Sequence, residues 1–346
     1  MRILVLRGGA LGDFLVTLPA LGLLRTRWPG ARIELVGHAR AAGLGMSGGY
    51  LDAVHSQHEA RWSALFSAAV AELPPALHAW LAEFDLVVNY WPDPDGTLAR
   101  RFPLRAGQQF LSAPAAPILA PAARHFCELL KTLGLSTTDY RSCLRLPTGN
   151  DIGPATSDPR LPVAIHPGSG SPRKNWPRER GTELMARLEE PVLLVLGEAE
   201  REWLPTCRSL LAGAAAAGLA GNNLRRKPSA GQQSGRSSVA SDLPTSKDIH
   251  LANDLPLPEL AAALARCRLF LGHDSGVSHL AAAVGTPCVL LFGPTDPGMW
   301  APPGDHVRVL RRGESMDTIA VDEVTAAAIW RRCENHPPPP LSRNVN

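Results

Sequence analysis

The stretch HDSGVSHLAAAVGTPCVLLFGPTDPGMW, residues 273–300, decides the fold. The apolar run RLFLG (268–272) carries a strand up to Asp274. Ser275 and Gly276 then open a helix over GVSHLAAAV, and a second strand follows at Cys288–Phe292. Free backbone N–H groups and the positive end of a helix dipole therefore fall at the carboxyl end of a strand. That arrangement binds phosphate oxygens. His279 follows Ser275 by about one helical turn, so its ring can face the same ligand. The stretch points to a bound diphosphate in the second half of the chain, and hence to a nucleotide-activated substrate. Taken alone, Asp-Ser-Gly fits an ordinary helix cap equally well.

Outward from this unit, both halves alternate short apolar strands with helical stretches. In the first half, strands are expected at Ile3–Arg7, Arg32–Val36 and Asp85–Asn89. A helix is expected over DFLVTLPALGLLRTRW (13–28), stopped by Pro29-Gly30. In the second half, strands are expected at Pro162–His166, Val192–Leu196, Ile249–Leu251, Arg268–Gly272 and Cys288–Phe292. Repeated β-α-β units with nearly unbroken apolar strands indicate parallel sheets covered on both faces. The polar, Gly- and Pro-containing stretch TGNDIGPATSDPR (148–160) reads as the linker between two domains.

A chain of 346 residues is long for one core and natural for two. With 45% hydrophobic and 19% charged residues it is globular. Its 35 basic and 32 acidic residues leave a net charge of +3, too balanced for nucleic acid to be the main partner. The cysteines at 127, 143, 207, 267, 288 and 333 are scattered without C-x-x-C spacing, so neither a zinc site nor a disulfide framework is expected. No apolar stretch approaches the ~20 residues of a membrane span, and a soluble cytoplasmic protein is the expectation. NNLRRKPSAGQQSGRSSVASDLPTSKD (222–248) lacks periodicity and reads as a flexible surface insertion. DTIAVDEVTAAAIWRRC (317–333) reads as a final amphipathic helix, and HPPPPLSRNVN (336–346) as a disordered tail.

Two further loops follow strands. In RGGALGD (7–13), Gly8, Gly9 and Gly12 let a ligand approach the backbone. The spacing is not G-x-G-x-x-G, so no dinucleotide fingerprint is supported. Asp13 at the helix start reads either as a general base for a hydroxyl or as a carboxylate complementing the helix dipole. HPGSGSPRKNWP (166–177) brings Ser169, a second serine, two glycines, Arg173 and Lys174 into one loop. Hydroxyls, backbone N–H groups and a lysine suit a diphosphate leaving group; an ordinary basic surface loop has the same composition. Two weaker stretches also follow strands. WPDPDGTLARR (91–101) reads as cleft lining or as turn chemistry, and LGEAERE (196–202) carries Glu200, either a ribose or base contact or a solvated helix-start acid.

Taken together, these segments resemble glycosyltransferase family 9, the ADP-heptose:lipopolysaccharide heptosyltransferase family. The resemblance rests on ILVLRGGALGDFLVTLPAL (3–21), HPGSGSPRKNWP, DSGVSHLAAAVGTP (274–287) and FGPTDP (292–297), in that order. It implies an α/β protein of GT-B fold: two Rossmann-like domains with parallel sheets facing across a cleft. Residues 1–150 would bind the acceptor and 151–316 the nucleotide sugar. A C-terminal helix at 317–335 would cross back to the first domain, and 336–346 would form the tail. By the same resemblance Asp13 becomes the general base and Lys174 a diphosphate contact. Asp274, Ser275, Gly276 and His279 would hold the donor, and Ser169 and Glu200 would be further donor contacts. The implied function is inverting transfer of heptose or a related sugar from a nucleotide diphosphate, such as ADP-heptose, to a hydroxyl of a lipopolysaccharide-like glycan. No metal and no cofactor is expected. The implied partners are the donor and a glycan or glycolipid acceptor, at the cytoplasmic face of the inner membrane, with no nucleic acid. An epimerase or hydrolase on the same fold, or a silent nucleotide- or glycan-binding protein, are the alternatives. GGA in the first loop and NYWPDPDGTLARR (89–101) depart from the usual family sequence, both on the acceptor side.

Overall fold

A computed structural model of the chain describes residues 1–67, 72–146, 162–203 and 249–329. The linker at 148–160, the insertion at 222–248, the end of the terminal helix and the tail at 336–346 lie outside the described residues.

In the first part of the chain the strands are β1 (Arg2–Arg7), β2 (Arg32–Gly37), β3 (Ala53–Ser56), β4 (Leu86–Asn89) and β5 (Gln109–Ser112). Helices α1 (Leu11–Leu15), α2 (Leu18–Arg27), α3 (Ala39–Ser47), α4 (Pro75–Leu81), α5 (Thr97–Arg101) and α6 (Ala122–Glu128) run between and after them. The strands form one parallel sheet in the order β3-β2-β1-β4-β5. β1 is central because it is apolar on both faces: Ile3, Leu4, Val5 and Leu6 are all fully buried.

The second sheet contains β6 (Val163–Ile165), β7 (Val192–Leu196), β8 (Ile249–Asn253), β9 (Leu269–His273), β10 (Cys288–Phe292) and β11 (Val307–Arg311). Its helices are α7 (Arg178–Arg187), α8 (Leu257–Ala265), α9 (Gly276–Ala283), α10 (Pro297–Trp300) and α11 (Val321–Ile329). The order is β11-β10-β9-β6-β7-β8, again all parallel, with Val163 opposite Leu269 and Ile165 opposite Leu271. The chain divides into two compact units, Met1–Gly149 with Pro297–Gly304, and Asn150–Asp296 with Asp305–Asn346. α11 packs on α7 and β10, and Val324, Ala327 and Ala328 belong to the core of the second unit.

Two expectations change in detail. The helix expected over 13–28 is two helices, α1 and α2, interrupted at Val16–Thr17. Pro19 has no N–H to give to Leu15, so an unbroken helix loses a bond there. The carbonyl of Asp13 is instead taken by the Thr17 hydroxyl at 2.8 Å and by Arg7 Nε at 3.2 Å. Strands β3, β5 and β11 have no counterpart in the sequence reading. All three are sheet edges, and their partly exposed residues lack a continuous apolar run.

Candidate functional site

Strand order reverses once in each sheet, between β1 and β4 and between β6 and β9. Parallel α/β sheets bind ligands beyond the carboxyl ends of the strands at such a point. The loops singled out in the sequence leave these strands: RGGALGD follows β1, HPGSGSPRK follows β6, and DSG follows β9.

In the second unit, Lys174 lies in the short helical turn Pro172–Lys174, and its Nζ stands 2.7 Å from Asp274 Oδ2. The pair joins the β6 loop to the β9 loop across a sequence separation of 100 residues. Ser275 caps α9, and its Oγ accepts the N–H of Ser278 at 3.4 Å. The N–H of His279 goes to the carbonyl of Ser275. The amides of Gly276 and Val277, in the first turn, are the ones left to an outside acceptor. His279 itself is buried one turn into the helix.

The other predicted residues point inward. The Ser169 hydroxyl lies 2.8 Å from the Ser171 carbonyl and 2.6 Å from Asn175 Oδ1, so it braces the loop from within. Glu200 is buried; its Oε2 accepts the N–H of Gly197 at 2.8 Å and lies 3.6 Å from His166 Nε2. Burial pushes the Glu200 carboxyl up. The His166 hydrogen bond and charge, with the Gly197 N–H, outweigh that and leave it below its ordinary value. Gly168 makes room for this carboxylate: a Cβ there would stand 1.6 Å from Glu200 Oε1.

Two histidines that the sequence reading did not select complete the arrangement. His166 follows β6, and its Nδ1 reaches Ser275 Oγ at 3.3 Å. His273 ends β9; its Nε2 accepts the N–H of Trp176 at 3.1 Å, and its Nδ1 faces the Gly168 carbonyl at 3.4 Å. Each imidazole thus reaches from its own strand end to the neighbouring loop. Burial lowers the His273 pKa to about 4, so the ring is neutral at pH 7, as one accepting and one donating nitrogen require. The available signal was positional: PVAIH and LFLGH each close a buried apolar run on histidine.

In the first unit, Gly9 takes φ +98°, in the region that favours glycine, and its Cα side is closed by the Asp13 carboxylate. Asp13 Oδ2 accepts the N–H of Ala10 at 2.9 Å, and Oδ1 accepts from Arg7 Nη2 at 3.0 Å. The Asp13 side chain remains 36% exposed, whereas Arg7 is 5% exposed. Burial draws the Arg7 guanidinium below its ordinary pKa, and Asp13 opposes that shift. Gly8 sits against Gln57 and the indole of Trp91, which follows β4, so WPDPDG does approach the glycine turn. Asp93 caps α5 through the N–H groups of Leu98 and Ala99, which is the turn chemistry also read there. Gly12 lies within α1.

Residues 228–327 match the profile of Glycosyltransferase family 9 (heptosyltransferase). That match covers less than a third of the chain. A 52-residue segment is 48% identical to lipopolysaccharide heptosyltransferase 3 of Escherichia coli, covering 15% of each protein. A 63-residue segment is 36% identical to lipooligosaccharide heptosyltransferase 2 of Haemophilus influenzae, covering 18% of each. These alignments thus span under a fifth of the curated relatives. At whole-chain scale, a family 9 glycosyl transferase from Veillonella parvula superposes with a TM-score of 0.70 at 20% identity, covering 95% of this chain and 96% of that one. E. coli heptosyltransferase WaaC with ADP superposes with a TM-score of 0.64 at 20% identity, covering 96% of this chain and 100% of that one. The fold of these two structures, α/β of GT-B type with two parallel sheets, is the fold of this chain.

Proposed function

We propose that the protein is an inverting glycosyltransferase. It would move heptose or a related sugar from a nucleotide diphosphate donor, ADP-heptose foremost, to a hydroxyl of a lipopolysaccharide-like glycan. The observation that carries this reading is the Lys174–Asp274 pair beside the capped start of α9, at the point where the strand order of the second sheet reverses. A cation and two first-turn amides there offer charge and donors to a diphosphate. The solved WaaC relatives carry ADP and an ADP-2-deoxy-2-fluoro heptose, which favours the same ligand class.

In this reaction Asp13 takes the proton of the acceptor hydroxyl as its oxygen bonds to the anomeric carbon. The bond from that carbon to the diphosphate oxygen breaks, and its electron pair leaves with the nucleotide. Attack opposite the leaving group inverts the anomeric centre. Lys174 and the amides of Gly276 and Val277 meet the charge growing on the diphosphate. Asp274 and His279 are the remaining side chains assigned to the donor, while Ser169, Glu200 and Ser275 serve by holding the loops. No helix among the described residues is long and apolar enough to cross a membrane. A glycolipid acceptor would place the enzyme at the cytoplasmic face of the inner membrane.

The test is incubation of the protein with ADP-heptose and truncated lipopolysaccharide, followed by mass spectrometry. One added heptose per acceptor with matching ADP release is expected, and the product linkage should be of opposite anomeric configuration to the donor. ADP and free sugar without acceptor would instead identify a hydrolase. ADP binding with no turnover over a broad acceptor panel would identify a binding protein.

A further inference from the structure

The hydrogen-bond directions around Ser275 can be counted proton by proton. Ser278 Oγ bonds the carbonyl of His273, and a carbonyl only accepts, so the Ser278 hydroxyl proton is committed there. Ser278 Oγ then meets Ser275 Oγ, 3.1 Å away, as an acceptor, and the proton between them belongs to Ser275. Ser275 Oγ also accepts the N–H of Ser278. With its own proton given away, Ser275 Oγ faces His166 Nδ1 at 3.3 Å only as an acceptor. Nδ1 of His166 therefore carries a hydrogen. On the other side of the ring, Nε2 faces Glu200 Oε2 at 3.6 Å, and Glu200 is anchored on the Gly197 N–H and fills the space beside Gly168.

We propose that His166 is a positioning residue of the donor site, fixing the cap of α9 through Ser275 and the loop after β6 through Glu200. The proposal rests on reading this site as the diphosphate site. It assigns Glu200 to the support of the loop. The first-turn amides and the 167–174 loop are then held as one anion-binding surface, because the buried imidazole at the head of that loop meets Ser275 on one side and stands beside the Glu200 carboxylate, which packs against Gly168, on the other. An amide misplaced by about 1 Å loses most of a hydrogen bond's directionality, so loosening this brace should weaken diphosphate binding before it unfolds the domain.

Two measurements on the full chain test this. The first is ¹⁵N NMR of histidine-labelled protein, with the His166 signals identified by their loss in His166→Asn. Protonated Nδ1 is expected. The second is calorimetric titration with ADP of the wild type, His166→Leu, His166→Asn, Ser275→Ala and the His166→Leu/Ser275→Ala double variant. His166→Leu should weaken ADP binding about 10-fold, the scale of one hydrogen bond to a site group, with little change in melting temperature. Asparagine places an N–H near the Nδ1 position, and should recover most of that loss. The double variant should bind no worse than the weaker single variant, because His166 acts through Ser275. Wild-type protein that fails to bind ADP overturns the donor-site reading. Wild-type protein that binds ADP, with an unprotonated Nδ1 or with additive losses, overturns the role of His166 alone.

Discussion

Arg7 Nη2 donates to Asp13 Oδ1 at 3.0 Å, so the last residue of β1 and the third residue of α1 are tied across the glycine turn. The pairing is unequal: Arg7 is buried, while Asp13 keeps about a third of its side chain exposed. Asp13 thus holds a structural contact and an open face at once. Asp13→Asn is expected to lower kcat by about 10²–10⁴-fold, the loss typical of a missing general base. It should also cost stability of about 1–3 kcal/mol, since the buried guanidinium loses its charged acceptor. ADP affinity should stay within a few-fold. The check is kcat, ADP affinity and melting temperature on one preparation; a kcat loss no larger than the unfolded fraction explains would reduce Asp13 to a helix-capping residue.

Lys174 is more exposed than its partner Asp274, 29% against 11%, so the ammonium can reach outward while the carboxylate stays anchored. Lys174→Ala should weaken ADP binding by about 1.5–3 kcal/mol, the value of a charge-assisted hydrogen bond. That is roughly a 10- to 150-fold rise in Kd. Calorimetry decides it, and unchanged affinity in a folded variant would remove Lys174 from the proposed diphosphate site.

The central strands were legible because β1, β7, β9 and β10 are buried on both faces and read as unbroken apolar runs. The edge strands β3, β5 and β11 were not, since half-exposed residues carry no such run. In the site, Lys174 and Asp274 could be placed in neighbouring loops from motif order, but their 2.7 Å pairing depends on β6 lying beside β9. The inward turn of Ser169 and Glu200 was hidden for the same reason. A hydroxyl or carboxylate in a loop reads as a ligand contact until the backbone groups it satisfies, such as the Gly197 N–H, are known. His166 and His273 went unselected because each looks like the last residue of a strand, and only the sheet register turns them toward each other's loops.

His273 gives the domain a pH dependence. Its pKa falls from the ordinary 6.5 to about 4, chiefly through burial and secondarily through nearby His166; the Gly168 carbonyl and Glu200 oppose the shift. Below pH 6.5 the unfolded chain binds a proton that the folded chain refuses. The stability contribution is therefore full above pH 6.5 and declines as the pH falls toward 4, by about 3 kcal/mol at most. Melting temperature measured from pH 7.5 to 4.5 should drop more steeply for the wild type than for His273→Gln. Parallel curves for the two would show that His273 does not stay neutral through this range.

Gly168→Ala tests the packing beneath the loop that follows β6. Its new Cβ would stand 1.6 Å from Glu200 Oε1 and 2.4 Å from Glu200 Cδ, closer than atoms approach. Glu200 is a flexible side chain, but its carboxylate is held by the Gly197 N–H at 2.8 Å and stands beside His166. The clash therefore expels a carboxylate from a buried N–H, and stability should fall by about 1–3 kcal/mol. Glu200→Ala alone should cost a similar amount, because the same N–H is left without its acceptor. In the Gly168→Ala/Glu200→Ala double variant the clash is gone, so its loss should equal that of Glu200→Ala alone. Melting curves of the three variants read out the coupling. If the two single losses simply add, Gly168 is not the residue that makes room for Glu200, and the account of that loop fails.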